Sequence, residues 1–221
     1  MPKKPFTPEE VAAQRERIMS AASQVMADVG FHHLSMRKLA AQLGMTASNI
    51  YNYFPDKESL FLHTRLHGFG LLLSDINEQM SLNTDARAAL MNFAQCMIQF
   101  AQQTPGYYQL MFQPPRLRLD DTDHQHRDIQ QQSERMLEEW QTHLMSLLAD
   151  AFPEGMKSKP ETCHRQLALF FISSVHGLID TYHHGALSGL LSGIELIPDD
   201  VIRTQLEWLM ASLVREAEGV A

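Results

Sequence analysis

Apolar side chains recur along most of the chain at intervals of three and four residues, which is the period of an α-helix. In the first such segment these positions are Val11, Ile18, Ala22, Val25 and Val29. The same spacing predicts later helices over about residues 85–103, 105–112, 124–151, 160–186 and 198–218. A break is predicted at Phe152-Pro153-Glu154-Gly155, and no stretch alternates as a strand does. The chain is therefore expected to be all-α, with about nine helices.

Start and stop residues divide the first part of the chain into four helices. Thr7-Pro8-Glu9-Glu10 is a capping box with proline at the first helical position, and Gly30 ends this helix. Ser35 can cap a short second helix that stops at Gly44. A third helix begins at Thr46, and Pro55-Asp56 opens a long fourth one. Four helices are thus predicted for a compact N-terminal module.

The two short helices have the length and turn chemistry of a helix-turn-helix. They are joined by Leu43-Gly44-Met45-Thr46, and the second begins with Thr46-Ala47-Ser48-Asn49. In a helix-turn-helix the second helix enters the major groove of DNA, where small polar side chains permit close approach. Ile50 is expected to face the core of the module. A small helical hairpin with a glycine turn has the same spacing, so the spacing alone leaves both interpretations open.

Residues 10–62 resemble the DNA-binding domain of the TetR (AcrR-type) transcriptional regulators. The matching positions are Ile18, Ala21-Ala22, Gly30-Phe31, Ser35-Met36-Arg37-Lys38-Leu39-Ala40, Leu43-Gly44-Met45-Thr46 and Ile50-Tyr51-Asn52-Tyr53-Phe54-Pro55-Asp56-Lys57-Glu58-Ser59-Leu60. Ser48 stands where the family often has glycine, and Tyr53 where it often has histidine. The resemblance implies a helix-turn-helix DNA-binding domain over residues 1–66. It also implies a larger helical bundle over residues 67–221 that binds a ligand and dimerises.

The resemblance also implies a division of roles among the residues that face DNA. Hydroxyls, cations and helix N-termini suit phosphate binding, and the residues of this kind are Ser35, Arg37, Thr46, Tyr51 and Lys57. Base edges are expected to be contacted by Ala47, Ser48, Asn49 and Asn52. Tyr53 is placed on the same DNA-facing side. The expected partner is a double-stranded operator.

The second domain is rich in methionine and aromatic residues at helical spacing. Such residues pack the core of any bundle, and they also line pockets for partly apolar ligands; the sequence leaves both open. The candidate pocket residues are Tyr108, Met111, Trp140, His143, Phe171 and His176. The run 104–112 and Val175-His176-Gly177-Leu178 resemble a TetR branch with a tryptophan-histidine-glycine motif, with valine in place of tryptophan. This resemblance implies a small-molecule effector.

Two apolar stripes in the last two predicted helices are candidates for a dimer interface. Their members are Phe170, Val175, Leu178, Tyr182, Ile202, Leu206, Leu209 and Leu213. Packing within the protomer explains such stripes equally well. A single helix-turn-helix reads few base pairs, however, and pairing places two recognition helices about 34–36 Å apart, one turn of DNA. The TetR resemblance implies that these two helices form a four-helix bundle across a two-fold axis.

Composition and charge restrict the function further. The 221 residues are 44% hydrophobic, which excludes a disordered chain. The net charge of −8 hides an asymmetry: residues 1–66 hold 8 Lys and Arg against 6 Asp and Glu, and the rest hold 10 against 20. The two cysteines are too few for a disulfide framework. The N-terminus lacks the pattern of a signal peptide, and no long apolar run predicts a membrane span. A soluble cytoplasmic protein with no membrane partner is expected.

The sequence argues against an enzyme. Ser35-Met36-Arg37-Lys38 matches the S-x-x-K pattern of some acyl-transfer enzymes, but the companion motifs of that class are absent. The histidines have no partner at metal-ligand spacing, so no cofactor and no metal is expected. The expected function is a ligand-responsive regulator, a repressor, that binds palindromic operator DNA as a homodimer. The alternative is a helical ligand-binding or interaction module that has lost DNA binding, with a helical hydrolase as a third and weaker candidate.

Overall fold

The computed structural model describes residues 7–80, 85–114, 124–183 and 198–218, and these residues form ten α-helices and no strand. The first four are α1 (Pro8–Val29), α2 (Met36–Gln42), α3 (Ala47–Tyr51) and α4 (Lys57–Met80), with a single 3₁₀ turn at Phe31–His33. The other six are α5 (Ala86–Gln103), α6 (Pro105–Phe112), α7 (His124–Ala151), α8 (Pro153–Ser158), α9 (Glu161–His183) and α10 (Pro198–Glu218). The all-α prediction is confirmed.

The predicted capping residues begin the helices of the N-terminal part. The Thr7 amide donates to the Glu10 carboxylate at 2.8 Å, and the Glu10 amide donates to the Thr7 hydroxyl at 3.2 Å, which completes the capping box. Ser35 and Thr46 cap α2 and α3 through their side-chain oxygens. Asp56 accepts from a backbone amide in the first turn of α4 at 2.6 Å. These local hydrogen bonds explain why the predicted helix starts are confirmed.

One predicted break is a helix. Residues 152–155 were expected to interrupt the chain, yet α8 begins at Pro153, directly after α7. Proline lacks an amide proton, which costs nothing in the first turn of a helix, so it starts a helix as readily as it ends one. Phe152 is 1% exposed and anchors this junction. The end of the helix predicted over 160–186 lies outside the described residues, beyond His183 of α9.

The described residues up to Leu71, together with those from Thr104 to Leu137, form one compact unit. Its core contains residues of α1 to α4 and also Leu110 of α6 and Ile129 of α7. Helix α6 lies directly on α1 at Gly106, where a Cβ atom would come within 2.7 Å of the Ser23 carbonyl oxygen. The helix-turn-helix therefore shares its core with two later helices. The predicted domain boundary after residue 66 stays a prediction.

The second compact unit comprises the described residues of 72–103 and 138–218. Three buried aromatic rings lie at its centre: Phe93 is 5.6 Å from Trp140 and 6.0 Å from Phe171 between ring centroids. Helix α8 packs on α10 at Gly155, where a Cβ atom would collide with the Ala217 carbonyl oxygen. Within the described ranges of both units, no helix has the length and hydropathy needed to cross a bilayer.

Candidate nucleic-acid interface

A glycine turn sets the direction of the chain between α2 and α3. Gly44 has φ +67°, a left-handed conformation that favours glycine, although nothing lies within 4 Å of where its Cβ would be. Its amide donates to the Ala41 carbonyl at 3.1 Å, and the Met45 amide donates to the Ala40 carbonyl at 2.8 Å. This pair of bonds is a Schellman motif, which ends one helix and turns the chain into the next. The turn requires glycine for its backbone angle and not for space.

Helix α3 is short, capped at its start and anchored by one side. The Thr46 hydroxyl oxygen accepts the Asn49 amide at 3.2 Å. Ile50 and Phe54 are 0% exposed, so the expectation that Ile50 faces the core is confirmed. On the other side of the helix Ser48 is exposed. The helix therefore presents polar side chains outward while its apolar side is held by the core.

Two side chains of α1 form hydrogen bonds to the turn between α2 and α3. Arg17 donates through Nη2 to the Leu43 carbonyl at 3.0 Å, at the end of α2. Gln14 donates through Nε2 to the Met45 sulfur at 3.2 Å. Both contacts join positions far apart in sequence, so no local pattern predicted them. They couple the orientation of the helix-turn-helix to α1.

Arg15 holds the far end of α3. Its Nη1 donates to the Tyr53 carbonyl at 2.5 Å, and its guanidinium lies 4.3 Å from the centre of the Phe54 ring. Phe54 in turn meets His63 of α4 edge to face, at 5.5 Å between centroids. Burial lowers the pKa of Arg15. Burial, and then the positive charge of Arg15, lower the pKa of His63 to about 4, so this imidazole is neutral near pH 7.

All ten residues predicted to face DNA lie between residues 35 and 57, on α2, α3 and their flanks. Arg37, Thr46, Ser48, Tyr51 and Asn52 are exposed, and Tyr51 has 44% of its surface accessible. The half-buried members are Ser35, Ala47, Asn49, Tyr53 and Lys57. Contact with DNA stays a prediction for each of them. Two of the ten have a structural role besides, since Tyr53 packs against the core and the Lys57 ammonium lies 4.8 Å from the Phe31 ring.

Positive charge dominates this surface. Between residues 35 and 57 the chain has three cations, Arg37, Lys38 and Lys57, and a single carboxylate, that of Asp56. The Asp56 carboxylate is already occupied, because it caps α4 and lies 3.2 Å from Nε2 of His126. Exposed cations and a helix N-terminus both suit phosphate binding.

The six candidate ligand residues divide between the two units. Tyr108 and Met111 are buried in the first unit, where the Met111 carbonyl accepts from Nε and Nη2 of Arg65, both at 3.3 Å. Trp140 and Phe171 are buried in the second unit, both beside Phe93. His143 and His176, also of the second unit, are half-buried. A pocket formed by all six stays a prediction. No group of three or more metal-ligating side chains is found in the part of the chain that the structure describes.

Two open grooves that the sequence did not predict are lined by other residues. The α1–α4 groove, of about 380 Å³, belongs to the first unit and is lined by Arg15, Met19, His63, Leu66, His67, Gly70, Leu71 and Met136. The α9–α10 groove, of about 480 Å³, belongs to the second unit and includes Lys159, Cys163, Phe170, Ser212 and Arg215. Contacts between separate helices create both grooves, so no motif could have indicated them.

Most residues of the predicted dimer stripe are buried within the protomer. Val175, Leu206, Leu209 and Leu213 are at most 7% exposed, because this stripe packs α9 against α10. Leu178 and Ile202 are half-buried, and the side chain of Tyr182 lies outside the described residues. The large apolar side chains of α9 and α10 that are exposed are instead Leu169 (68%), Phe170 (41%) and Trp208 (62%). Of the predicted stripe, Phe170 alone belongs to this outward apolar set within the described residues.

Comparison with known families finds two matches along the chain. Residues 18–64 match the family described as bacterial regulatory proteins, tetR family. Residues 90–205, just over half of the chain, match the family described as tetracyclin repressor-like, C-terminal domain. The first match contains α2, α3 and the turn between them. The second covers α6 to α9, which hold the candidate ligand residues.

Individual relatives are more distant. The chain is 26% identical over 100 residues to the HTH-type transcriptional activator FasR of Mycolicibacterium smegmatis. The aligned segment covers 45% of this chain and 46% of that protein. The chain spans about half the length of the curated relatives it matches.

Two solved structures share the fold over nearly their whole length. AibR in complex with isovaleryl coenzyme A and operator DNA is 14% identical, with a TM-score of 0.65 over 89% of this chain and 97% of that one. FadR of Bacillus subtilis in complex with stearoyl-CoA is 18% identical, with the same TM-score and coverage. At these identities the likeness shows the fold.

Proposed function

Because the chain belongs to the tetR family of bacterial regulatory proteins, we propose that it is a ligand-responsive transcriptional regulator that binds operator DNA as a homodimer. The family resemblance predicted from residues 10–62 is confirmed by the match over 18–64. In this proposal residues 1–66 bind DNA and residues 67–221 bind the ligand and dimerise. Repression is the proposed mode, with a ligand that separates the two recognition helices and so releases the DNA. Such a regulator performs no catalysis and acts in the cytoplasm, where its operator lies.

The observation that carries the proposal is the capped, outward-facing helix α3. The buried Ile50 fixes its orientation, Thr46 caps it at an exposed position, and Arg37 of α2 is exposed as well. Cations, hydroxyls and a helix N-terminus position a protein on phosphates without reading sequence. Asn52 is exposed at the end of α3, and an asparagine amide can bond an adenine edge bidentately. This arrangement suits a protein that both holds and reads a duplex.

The test separates phosphate contacts from base contacts. The DNA is the region upstream of the protein's own gene and, in parallel, duplexes selected from a random library. Lys57→Ala is expected to weaken binding to specific and random DNA alike and to reduce the salt slope by about one. Asn52→Ala is expected to cost about 1–3 kcal/mol on the selected site and to relax its sequence preference. Failure of the wild-type protein to bind any duplex at low salt would favour the interaction module that has lost DNA binding.

The homodimer is proposed at the outward apolar surface of α9 and α10. Leu169, Phe170 and Trp208 are exposed on these two helices, and exposed large apolar side chains are typical of an interface when they form one patch, as this proposal requires. Light scattering of the wild type at micromolar concentration should give twice the chain mass of 25.2 kDa. Trp208→Glu should give one chain mass with an unchanged helical circular dichroism spectrum. Leu209→Asp, its neighbour, should unfold the protein instead, because Leu209 is buried within the protomer. A wild-type mass of one chain would contradict the dimer.

The proposed effector is a partly apolar small molecule that binds the second domain. AibR has been crystallised with both isovaleryl coenzyme A and operator DNA, which supports a DNA-binding protein of this fold that also takes an acyl ligand. The proposed pocket residues stay the six named above, among them Trp140 and Phe171. In this proposal the ligand weakens DNA binding, and linkage then requires that DNA weaken ligand binding by the same factor, typically about 5–150-fold. A library of acyl-coenzyme A compounds screened by loss of DNA binding tests this part.

A further inference from the structure

The α1–α4 groove is lined by one cation, two imidazoles and several apolar side chains. Arg15 of α1 and His63 and His67 of α4 supply the polar groups. Met19 and Met136 are among the apolar side chains that complete the lining. A volume of about 380 Å³ falls within the range of about 300–1,000 Å³ that is typical of small-molecule sites. Methionine is flexible and polarisable, so this lining can adapt to an apolar chain.

Among the described residues, Arg15 lacks an ion-pair partner. Within the described residues, no carboxylate lies within 4 Å of the Arg15 guanidinium, which contacts the Tyr53 carbonyl and the Phe54 ring. Glu16 lies at the edge, 3.7 Å from Nε2 of His67, and it is exposed. Burial lowers the pKa of His67, against the effect of the Glu16 charge. A half-buried guanidinium beside two neutral imidazoles offers several N–H donors to an anion.

We propose that the α1–α4 groove is a binding site for a small amphipathic carboxylate, an acid with a short alkyl chain. The carboxylate lies against Arg15 and His63, because an arginine guanidinium pairs with a carboxylate through two parallel hydrogen bonds. The alkyl chain lies along Met19, Leu66 and Met136. An uncharged ligand leaves the Arg15 charge unbalanced, and a cationic ligand is repelled by it.

The same guanidinium connects this site to the recognition helix. Arg15 donates to the Tyr53 carbonyl and covers Phe54, so it fixes the chain where α3 ends. A carboxylate in the groove draws the guanidinium toward itself and weakens that hold. The ligand therefore lowers the affinity for DNA. This consequence rests on the proposed function, but the binding of the ligand to the groove is independent of it.

The first experiment measures binding to the full-length protein without DNA. Octanoate is the probe, and octylamine, a cation at pH 7 with the same chain, is its matched control. Octanoate is expected to bind and to shift the NMR signals of the His63 ring. The pKa of His63 should rise from about 4, because the anion stabilises the protonated ring. Between pH 5 and 7 the ring then begins to titrate with octanoate and stays neutral without it. No binding of octanoate, or equal binding of octylamine, overturns the proposal.

The second experiment blocks the groove without removing any of its groups. Gly70 of α4 lines the groove, and nothing lies within 4 Å of where its Cβ would be. Gly70→Leu is expected to weaken octanoate binding about tenfold or more by filling the space of the alkyl chain. Ser74→Leu is the control, because it adds the same side chain at an exposed position of the same helix. Equal octanoate affinity in both variants, each checked for folding by circular dichroism, overturns the proposal.

A DNA-binding measurement with and without octanoate then separates the two claims. If octanoate binds and the protein binds no duplex, the proposal of a carboxylate site in the groove is supported and the proposed function is contradicted. If the protein binds its duplex and octanoate does not bind, the groove proposal fails and the function stands.

Discussion

The cap of the recognition helix offers a way to separate folding from DNA binding at one position. Thr46 accepts the Asn49 amide through its hydroxyl oxygen at 3.2 Å, while the side chain itself is exposed on the surface proposed to meet DNA. Three replacements divide these roles. Serine keeps both the cap and the hydroxyl, alanine loses both, and aspartate keeps the cap but adds a negative charge.

The magnitudes follow from the cap geometry. Loss of a Thr cap costs about 0.5–2 kcal/mol, so Thr46→Ala should lower the free energy of unfolding by about 1 kcal/mol. For a chain of this size that corresponds to about 2–4 °C in Tm. Thr46→Asp should be as stable as the wild type, because an aspartate caps well and its charge is favourable at a helix N-terminus. Thr46→Ser should differ little from the wild type in either property.

DNA binding should rank these variants in a different order from stability. Thr46→Asp places an anion against the phosphates, so it is expected to bind the selected duplex more weakly than the less stable Thr46→Ala. The assays are chemical unfolding for stability and an electrophoretic shift at two salt concentrations for affinity. If Thr46→Asp bound DNA as tightly as Thr46→Ser, Thr46 would not face the duplex and the assigned orientation of α3 would be wrong.

Two further predictions concern backbone angles and pH. Gly44→Ala should lower the free energy of unfolding by about 1–2 kcal/mol, because alanine is strained at a left-handed φ. Gly70→Ala should raise it by up to about 1 kcal/mol, because the added methyl group meets open space and alanine favours a helix. Gly155→Ala should be the most destabilising of the three in thermal unfolding, because its Cβ would collide with the Ala217 carbonyl. The pKa of His63 is about 4 in the folded protein against an ordinary 6.5. As pH falls below 6.5, the unfolded chain therefore takes up a proton at His63 before the folded protein does, and the free energy of unfolding decreases until pH reaches about 4. His63→Gln should therefore show a shallower loss of stability between pH 7 and 4.5 than the wild type, and parallel curves would contradict the burial of His63.

The sequence predicts helix starts well because their causes are local. Thr7 and Thr46 bond to amides three residues away, and the glycine at position 44 marks a left-handed turn, so a short window of sequence contains all that is needed. The start of α8 shows the limit of such signals, since Pro153 is compatible with both a helix start and a break. Local chemistry thus predicts where helices begin, except where one residue permits two outcomes.

The candidate sites show what a local pattern cannot determine. Arg15 and Tyr53 are separated by 38 positions, and their contact exists only because α1 folds back on the end of α3. Leu209 and Trp208 are neighbours in sequence, yet one is buried in the protomer and the other is 62% exposed. A helical stripe indicates an apolar side, but the partner that covers it depends on how α9 and α10 are rotated. The grooves likewise depend on packing between helices distant in sequence.

Footprinting of the protein on a duplex selected from a random library tests the central claim most directly. A dimeric helix-turn-helix regulator should enrich a palindromic sequence and protect two half-sites whose centres lie about one helical turn, 10–10.5 base pairs, apart. The protection should disappear in Trp208→Glu, which leaves residues 35–57 untouched but removes the proposed dimer contact. Failure to enrich any duplex at low salt, or protection of a single half-site by the wild-type protein, would contradict the account.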